Sequence, residues 1–150
     1  MITRICADDW RDWRTLRIRA LTEAPEAFVP TLESIDDRES VWRGRIEAAL
    51  GCWLAYDGAD PVGMVAADPM PDGRLQLASM FVAEPARGAG VGAALIAAVT
   101  ATAGDRPLYL RVVPGNVAAR SVYERAGFVV DVADPDCDGC LAMTYSPHHS

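Results

Sequence analysis

The sequence predicts an α/β chain: a mixed sheet with helices on its faces, about seven strands and four helices in the order β-α-α-β-β-β-α-β-α-β-β. Three observations carry that reading. Apolar residues at helical spacing alternate along the chain with short β-branched and aromatic runs. Three strand-like segments in the middle are separated only by turn formers, as an antiparallel meander requires. And 150 residues without a repeat, a low-complexity tract or a Ser/Pro linker fit one domain, residues 1–150, built on one core.

Each element has its own signal. Thr3–Cys6 reads as a first strand. Asp8 or Asp9 can then cap a helix whose apolar residues Trp10, Trp13, Leu16, Ala20 and Leu21 recur at helical spacing and which Pro25 ends. A second helix runs from about Arg38 to Leu50, with Val41, Trp42, Ile46 and Leu50 on one face and Gly51 as its stop. Cys52–Tyr56, Pro61–Ala67 and Arg74–Val82 form the meander, broken by Asp57-Gly58 and by Pro69–Gly73. A glycine loop, Glu84–Gly92, opens a helix over Ala93–Ala103 that carries the stripe Val91, Leu95, Ile96, Val99. Pro107–Val113 fits a buried strand, and Asn116 caps a helix to Ala126 that Gly127 stops. Phe128–Val132 and Leu141–Tyr145 close as a final hairpin.

Composition removes several function classes. Hydrophobic residues at 51% and charged ones at 23% match an ordinary globular protein, not a disordered or disulfide-stapled one. The net charge of −7, with all 14 basic residues Arg, argues against a nucleic-acid partner and leans weakly toward a cationic acceptor. Without Lys there is no phosphate loop of the G-x-x-x-x-G-K-(S/T) kind. The N-terminus reaches charge before any apolar stretch develops, and the longest uncharged stretch, Gly88–Gly104, falls short of the ~20 residues a membrane span needs. These features predict a cytoplasmic protein with reduced thiols and no membrane partner. Cys137-Asp138-Gly139-Cys140 reads as a tight turn before it reads as a metal or redox site, so no metal site is assigned; His148 and His149 lie in a polar tail.

The chemistry concentrates in the glycine loop. Gly88, Gly90 and Gly92 let backbone amides turn toward one point at a helix start, where an anion such as a phosphate fits. A tight strand-to-helix connection alone would use the same glycines. The dinucleotide pattern also matches, but no carboxylate closes the next strand, which ends Val113-Pro114-Gly115-Asn116, and most of the chain precedes the loop, so the context argues against a nicotinamide or flavin site. Arg87-Gly88-Ala89-Gly90-Val91-Gly92 resembles the (Q/R)-x-x-G-x-(G/A) acyl-CoA loop of the GNAT superfamily of N-acetyltransferases, preceded by a strand ending Met80-Phe81-Val82. Leu110, Val112, Asn116, Ala119, Tyr123, Gly127 and Phe128 resemble that superfamily's L-x-V-x-x-x-N-x-x-A-x-x-x-Y-x-x-x-G-F signature at its expected distance downstream. The opening Leu16–Glu33 is similar to that of many bacterial members. One departure is a proline displaced to Pro85 in Val82-Ala83-Glu84-Pro85.

The resemblance implies acetyl-CoA as co-substrate and an amine-bearing acceptor. It implies that the amides of Arg87, Gly88, Ala89, Gly90, Val91 and Gly92 cradle the pyrophosphate, and that backbone groups of Met80, Phe81 and Val82 pair with the pantetheine arm beside an opened fifth strand. Asn116 and Ala119 would meet the cofactor, and Tyr123 would protonate the departing thiolate. Asn116 is also a good helix cap and Tyr123 also lies on an apolar stripe, so both have structural readings beside the functional ones. An alkylamine of pKa ~10.4 must lose a proton before it attacks. Some relatives place a Glu or His base on the fourth strand, but Leu75–Val82 holds no titratable side chain; the resemblance, in which the segment between the first two helices borders the acceptor, implies water on Gln76 and Ser79 relaying to Glu33, Asp36 or Asp37, with Glu33 as the chosen base. Direct transfer needs no protein nucleophile, and Cys6 and Cys52 read as buried strand residues. The missing base also allows an alternative, an acyl-CoA sensor without useful turnover. Small amine, aminoglycoside-like drug and protein N-terminus stay open as acceptors, as does a homodimer through a sheet edge.

Overall fold

The computed structural model describes residues 1–25, 31–131 and 140–147. Its elements follow in the order β1 (Ile2–Ile5), α1 (Trp10–Glu23), α2 (Glu39–Ala48), β2 (Gly51–Asp57), β3 (Asp60–Pro69), β4 (Leu75–Val82), α3 (Val91–Ala103), β5 (Leu108–Val112), α4 (Val117–Arg125), β6 (Val129–Val130) and β7 (Leu141–Tyr145). The strands form one seven-stranded sheet in the order β1-β2-β3-β4-β5-β7-β6. All neighbours run antiparallel except β4 and β5, which are parallel. The meander and the element order expected from the sequence are both present.

Two apolar layers flank this sheet, as the alternation of side chains along each strand dictates. On one face, Trp13, Leu16 and Ala20 of α1 and Trp42 and Ile46 of α2 pack on Cys52, Leu54, Met64, Ala66 and Phe81. On the other, Leu95, Ile96 and Val99 of α3 and Tyr123 of α4 pack on Trp53, Val65, Leu75, Leu77 and Leu110. Helix α3 lies close to β3 because Gly63 has no side chain: a Cβ there would stand 3.0 Å from both Val91 and Leu95.

Several local expectations change. Gly51 is not the stop of α2 but the buried first residue of β2, where a Cβ would meet the Trp53 ring at 2.6 Å; close approach, not helix termination, requires glycine there. Helix α2 ends at Ala48, which leaves Leu50 outside it, and Val41 is exposed, so its apolar face reduces to Trp42 and Ile46. Asp9 precedes α1 but does not cap it: its carboxylate accepts from the Cys6 backbone N–H at 3.0 Å, closing a 3-10 turn over Ala7–Asp9. That turn ends the first strand at Ile5, so Cys6 is exposed and not a buried strand residue, whereas Cys52 is buried as expected. Asn116 does cap α4, its Oδ1 accepting from Ala119 N–H at 3.2 Å, and Gly127 follows α4 at φ +104°. Val132, Cys137, the Asp138-Gly139 turn, His148 and His149 lie outside the described residues.

Candidate active site

Strand β4 is eight residues long, yet only Leu75 and Gln76 pair with β5, opposite Leu108 and Tyr109. Pairing stops there and the two strands part, while β7 follows β5 along its whole length on the other side. The β5-facing side of Leu77–Val82 is therefore a strand edge inside the sheet, open to a strand-like ligand. Its far end holds Met80, Phe81 and Val82.

A bulge reshapes that edge. Between the pairs Ala66–Ala78 and Met64–Phe81, two residues of β4, Ser79 and Met80, oppose the single Val65. Ser79 takes up the extra length at φ +56°, the one non-glycine residue in the left-handed region among the described residues. Such a conformation costs about 1–2 kcal/mol outside glycine. Bulges turn side chains and free ladder groups, and this one directs Ser79 toward α1 and α2 while Met80 and Val82 pack with the α3 layer.

The glycine loop begins where β4 ends. After a 3-10 turn over Glu84–Ala86, Gly88 and Gly90 adopt φ +85° and +81°, and α3 begins at Val91. The first helical bond opening α3 runs from Ala94 N–H to the Gly90 carbonyl at 3.0 Å, so the amides of Val91, Gly92 and Ala93 sit in the first turn, where the helix dipole presents positive potential. Arg87 serves the loop differently: its amide donates to the Glu84 carbonyl, its Nε to the Val82 carbonyl at 2.9 Å, and its guanidinium lies over the Phe81 ring. That residue ties loop to strand. Gly92 lies where β4 meets α4: a Cβ there would stand 3.3 Å from Met80 and 3.7 Å from Val122. The missing side chain keeps this junction open, as a narrow arm passing between strand and helix requires.

Tyr123 projects from α4 into the same apolar layer, 7% exposed, its ring 6.0 Å from that of Phe128. Burial pushes its phenol well above the usual tyrosine range, so the hydroxyl keeps its proton at neutral pH. Ala119 is half-buried on the same helix.

On the opposite face, Trp13, Arg17 and Leu21 of α1, Ile35 and Asp36 of the connection, Val41, Trp42 and Arg45 of α2, and Ser79 line a pocket of about 220 Å³. Sequence reasoning did not assemble this pocket, since its residues are far apart in the chain. Arg45 donates to both oxygens of Asp68 at 2.7 and 3.0 Å, and Asp36 is held by Arg38 at 2.6 Å. Asp37 does not line it; its carboxylate accepts from Arg14 and from Trp42 Nε1, which hold it down to about 2. Glu33 is exposed on a 3-10 turn, Leu32–Ser34, that leads toward the pocket. The pocket and the Tyr123 layer are thus separate, and only the bulged strand belongs to both.

No metal-capable group of three or more His, Cys, Asp or Glu occurs among the described residues, and none of their helices is long and apolar enough to cross a membrane. No curated protein sequence matches the chain significantly. Solved structures do match in fold. An acetyltransferase of the GNAT family from Streptococcus pneumoniae superposes with a TM-score of 0.79 at 17% identity, covering 97% of this chain and 98% of that one. The yncA protein of Salmonella typhimurium, solved with its cofactor acetyl-CoA, gives 0.80 at 14% identity, covering 100% and 95%. PaiA N-acetyltransferase of Thermoplasma acidophilum, solved with coenzyme A, gives 0.76 at 13% identity, covering 97% and 98%. A family model for the acetyltransferase (GNAT) family matches residues 7–128, and the chain belongs to that family.

Proposed function

We propose that residues 1–150 form a single cytoplasmic domain that transfers an acetyl group from acetyl-CoA to a primary amine. The observation that carries this reading is the parting of β4 from β5 directly before a left-handed glycine loop and a helix start. An open strand edge, a cleft kept clear at Gly92 and a ring of first-turn amides suit an extended amide-bearing arm that ends in a pyrophosphate. The structures of yncA and PaiA, solved with acetyl-CoA and coenzyme A, support the same ligand. Acetyl-CoA would supply the activated acetyl group as a thioester.

The chain's residues then divide the work. Backbone groups of Met80, Phe81 and Val82 orient the arm, and amides from Gly88 through Gly92 face the phosphates, that of Arg87 being already bonded within the loop. Asn116 holds the start of α4 through its Oδ1 and keeps its amide nitrogen for the cofactor, with Ala119 one turn on. Tyr123 is the general acid: a phenol held protonated by burial can donate to the sulfur as the C–S bond breaks. The acceptor's proton leaves through water held by Gln76 and Ser79. Asp36 and Asp37 are acidified by Arg38 and by Arg14, which makes them weak bases and favours Glu33 as the proton's destination.

The test is a panel of primary amines incubated with protein and acetyl-CoA, reading free thiol and the acetylated product together. Equal release of both in the presence of one amine is expected. Cofactor binding without acetylation of any amine would contradict the enzyme reading and favour the acyl-CoA sensor.

A further inference from the structure

The pocket between α1 and α2 meets a ligand largely with carbon. Trp13 and Leu21 of α1, Ile35 of the connection, and Val41 and Trp42 of α2 make its apolar wall. The polar atom of Trp42 is already spent: its Nε1 donates to Asp37 at 2.9 Å, and Asp37 is tied to Arg14 of α1 at 2.6 and 2.7 Å. That chain of bonds holds the indole in place. The charged groups of the wall are engaged as well. Arg45 donates to both oxygens of Asp68, Asp36 accepts from Arg38, and Arg17 has a partner of its own. A second charge on a ligand would have to share or displace those bonds and give up its water. Apolar surface gains from the same transfer, in proportion to the area taken out of water.

The volume of about 220 Å³ sets the size. It is below the roughly 300–1,000 Å³ of sites that take drug-sized ligands and above the roughly 150 Å³ of an apolar cavity that holds benzene. One aromatic ring or one short aliphatic chain fits, and an aminoglycoside does not. Val41 is exposed, so the wall reaches the surface and leaves a ligand a way in. Ser79 is the lining residue that β4 contributes, so an amine whose body lies on the indoles can face the strand edge proposed to hold the acyl donor. An apolar wall also disfavours the ammonium form, so a bound amine gives up its proton at lower pH, beside a strand with no titratable side chain to take it.

We propose that the acceptor is a monoamine whose non-reacting part is a compact apolar body, one aromatic ring or a short aliphatic chain without a second charge, seated on Trp13, Ile35 and Trp42 with its amine toward Ser79. This rests on the acetyltransferase reading for the amine's role, but not for the recognition of the body.

The test uses two pairs of amines on the full chain. Phenethylamine against ethylamine reads the apolar body. Hexylamine against cadaverine, in which an ammonium replaces the terminal methyl, reads the second charge. Each pair is followed by acetylation with acetyl-CoA and by quenching of tryptophan fluorescence in the CoA-loaded protein. Phenethylamine and hexylamine are each expected to be preferred at least tenfold over their counterparts in both assays, the discrimination an apolar pocket gives for as little as one methylene. Ile35 is half-buried on the connection, and Ile35→Asn should cut that preference severalfold and leave the KM for acetyl-CoA unchanged, whereas Ile35→Val should keep it. If Ile35→Asn fails to fold, Val41→Asp at the exposed end of the wall serves the same comparison. Acetylation of ethylamine or cadaverine as efficient as that of its counterpart would overturn the proposal while the enzyme reading stands. An apolar preference untouched by Ile35→Asn or Val41→Asp would also overturn it, because selection would then lie outside this pocket. Selective binding of the apolar amines without turnover would support the pocket's ligand class and remove the enzyme reading. Neither selective binding nor turnover would overturn the proposal outright.

Discussion

The two faces of the sheet differ in how their sites are made. On the α3–α4 side, backbone makes the proposed cofactor site: a strand edge that loses its partner after Gln76, glycines at φ +85° and +81°, and first-turn amides of α3. On the α1–α2 side, side chains make it: two tryptophans, two arginines and a serine drawn from three elements and a connection. A backbone site is specific for a ligand's shape and repeating amide and phosphate groups, so many relatives can share it. A side-chain site changes with each substitution, and selectivity belongs there.

The largest expected effect lies in the α3–α4 layer. Tyr123→Phe removes the proton and little else from a buried ring, so kcat should fall about a hundredfold or more, the range of general acid catalysis, while CoA affinity stays within about twofold. Single-turnover acetylation and CoA titration in parallel check this, and an unchanged kcat would remove Tyr123 from the chemistry.

Next in size, Gly90→Val forces a β-branched residue to φ +81° at the start of α3 and should weaken CoA binding about tenfold or more. The same change should leave quenching of Trp13 and Trp42 by an acceptor intact once CoA is saturating. If acceptor binding fell equally, the two faces would not be independent sites.

Smaller still is the strain in the shared strand. Ser79→Gly relieves the left-handed conformation at φ +56° and should raise the unfolding midpoint by about 2–4 °C, the scale of roughly 1 kcal/mol in a chain of this length. Thermal unfolding checks it; no rise would mean that Ser79 sits there without strain.

The smallest effect concerns the α1–α2 side alone. Asp37 is held down to about 2 by hydrogen bonds from Arg14 and Trp42. A carboxyl more acidic in the folded chain stabilises it above the ordinary carboxylate range, and that contribution is lost as pH falls toward 2. Wild type should therefore lose more stability than Asp37→Asn between about pH 5 and pH 2, with the Trp42 emission shifting as its Nε1 partner is protonated.

The same contrast explains what could be read from the sequence. The Asn116 cap, the glycine at 127, the meander and the loop at Gly88–Gly92 are local chemistry, decided within a few residues, and they stand where the sequence puts them. Gly51 failed the local rule because its reason is tertiary: the Trp53 ring and the Arg4 side chain occupy the space of its Cβ. Cys6 and Asp9 failed because a reciprocal turn between them replaced a simple helix cap. The bulge at Ser79 has no residue-type signal, since serine is an ordinary strand residue and the extra length shows only in the register against β3. The pocket was illegible for the plainest reason, which is that Arg17, Arg45 and Ser79 meet only after α1, α2 and β4 are packed. The α1 stripe Trp13, Leu16 and Ala20, visible as helical spacing, packs as core, and its Trp13 is both core and pocket wall.

The most direct test of the central claim is a thermal shift titration of the purified protein with acetyl-CoA, free CoA and NAD in parallel. A saturable rise with both CoA species is expected, about 2.7 kcal/mol at a hundredfold excess over Kd or roughly 5–10 °C, and none with NAD. No rise with either CoA species, or an equal rise with NAD, would contradict it and reduce the glycine loop to a strand-to-helix turn.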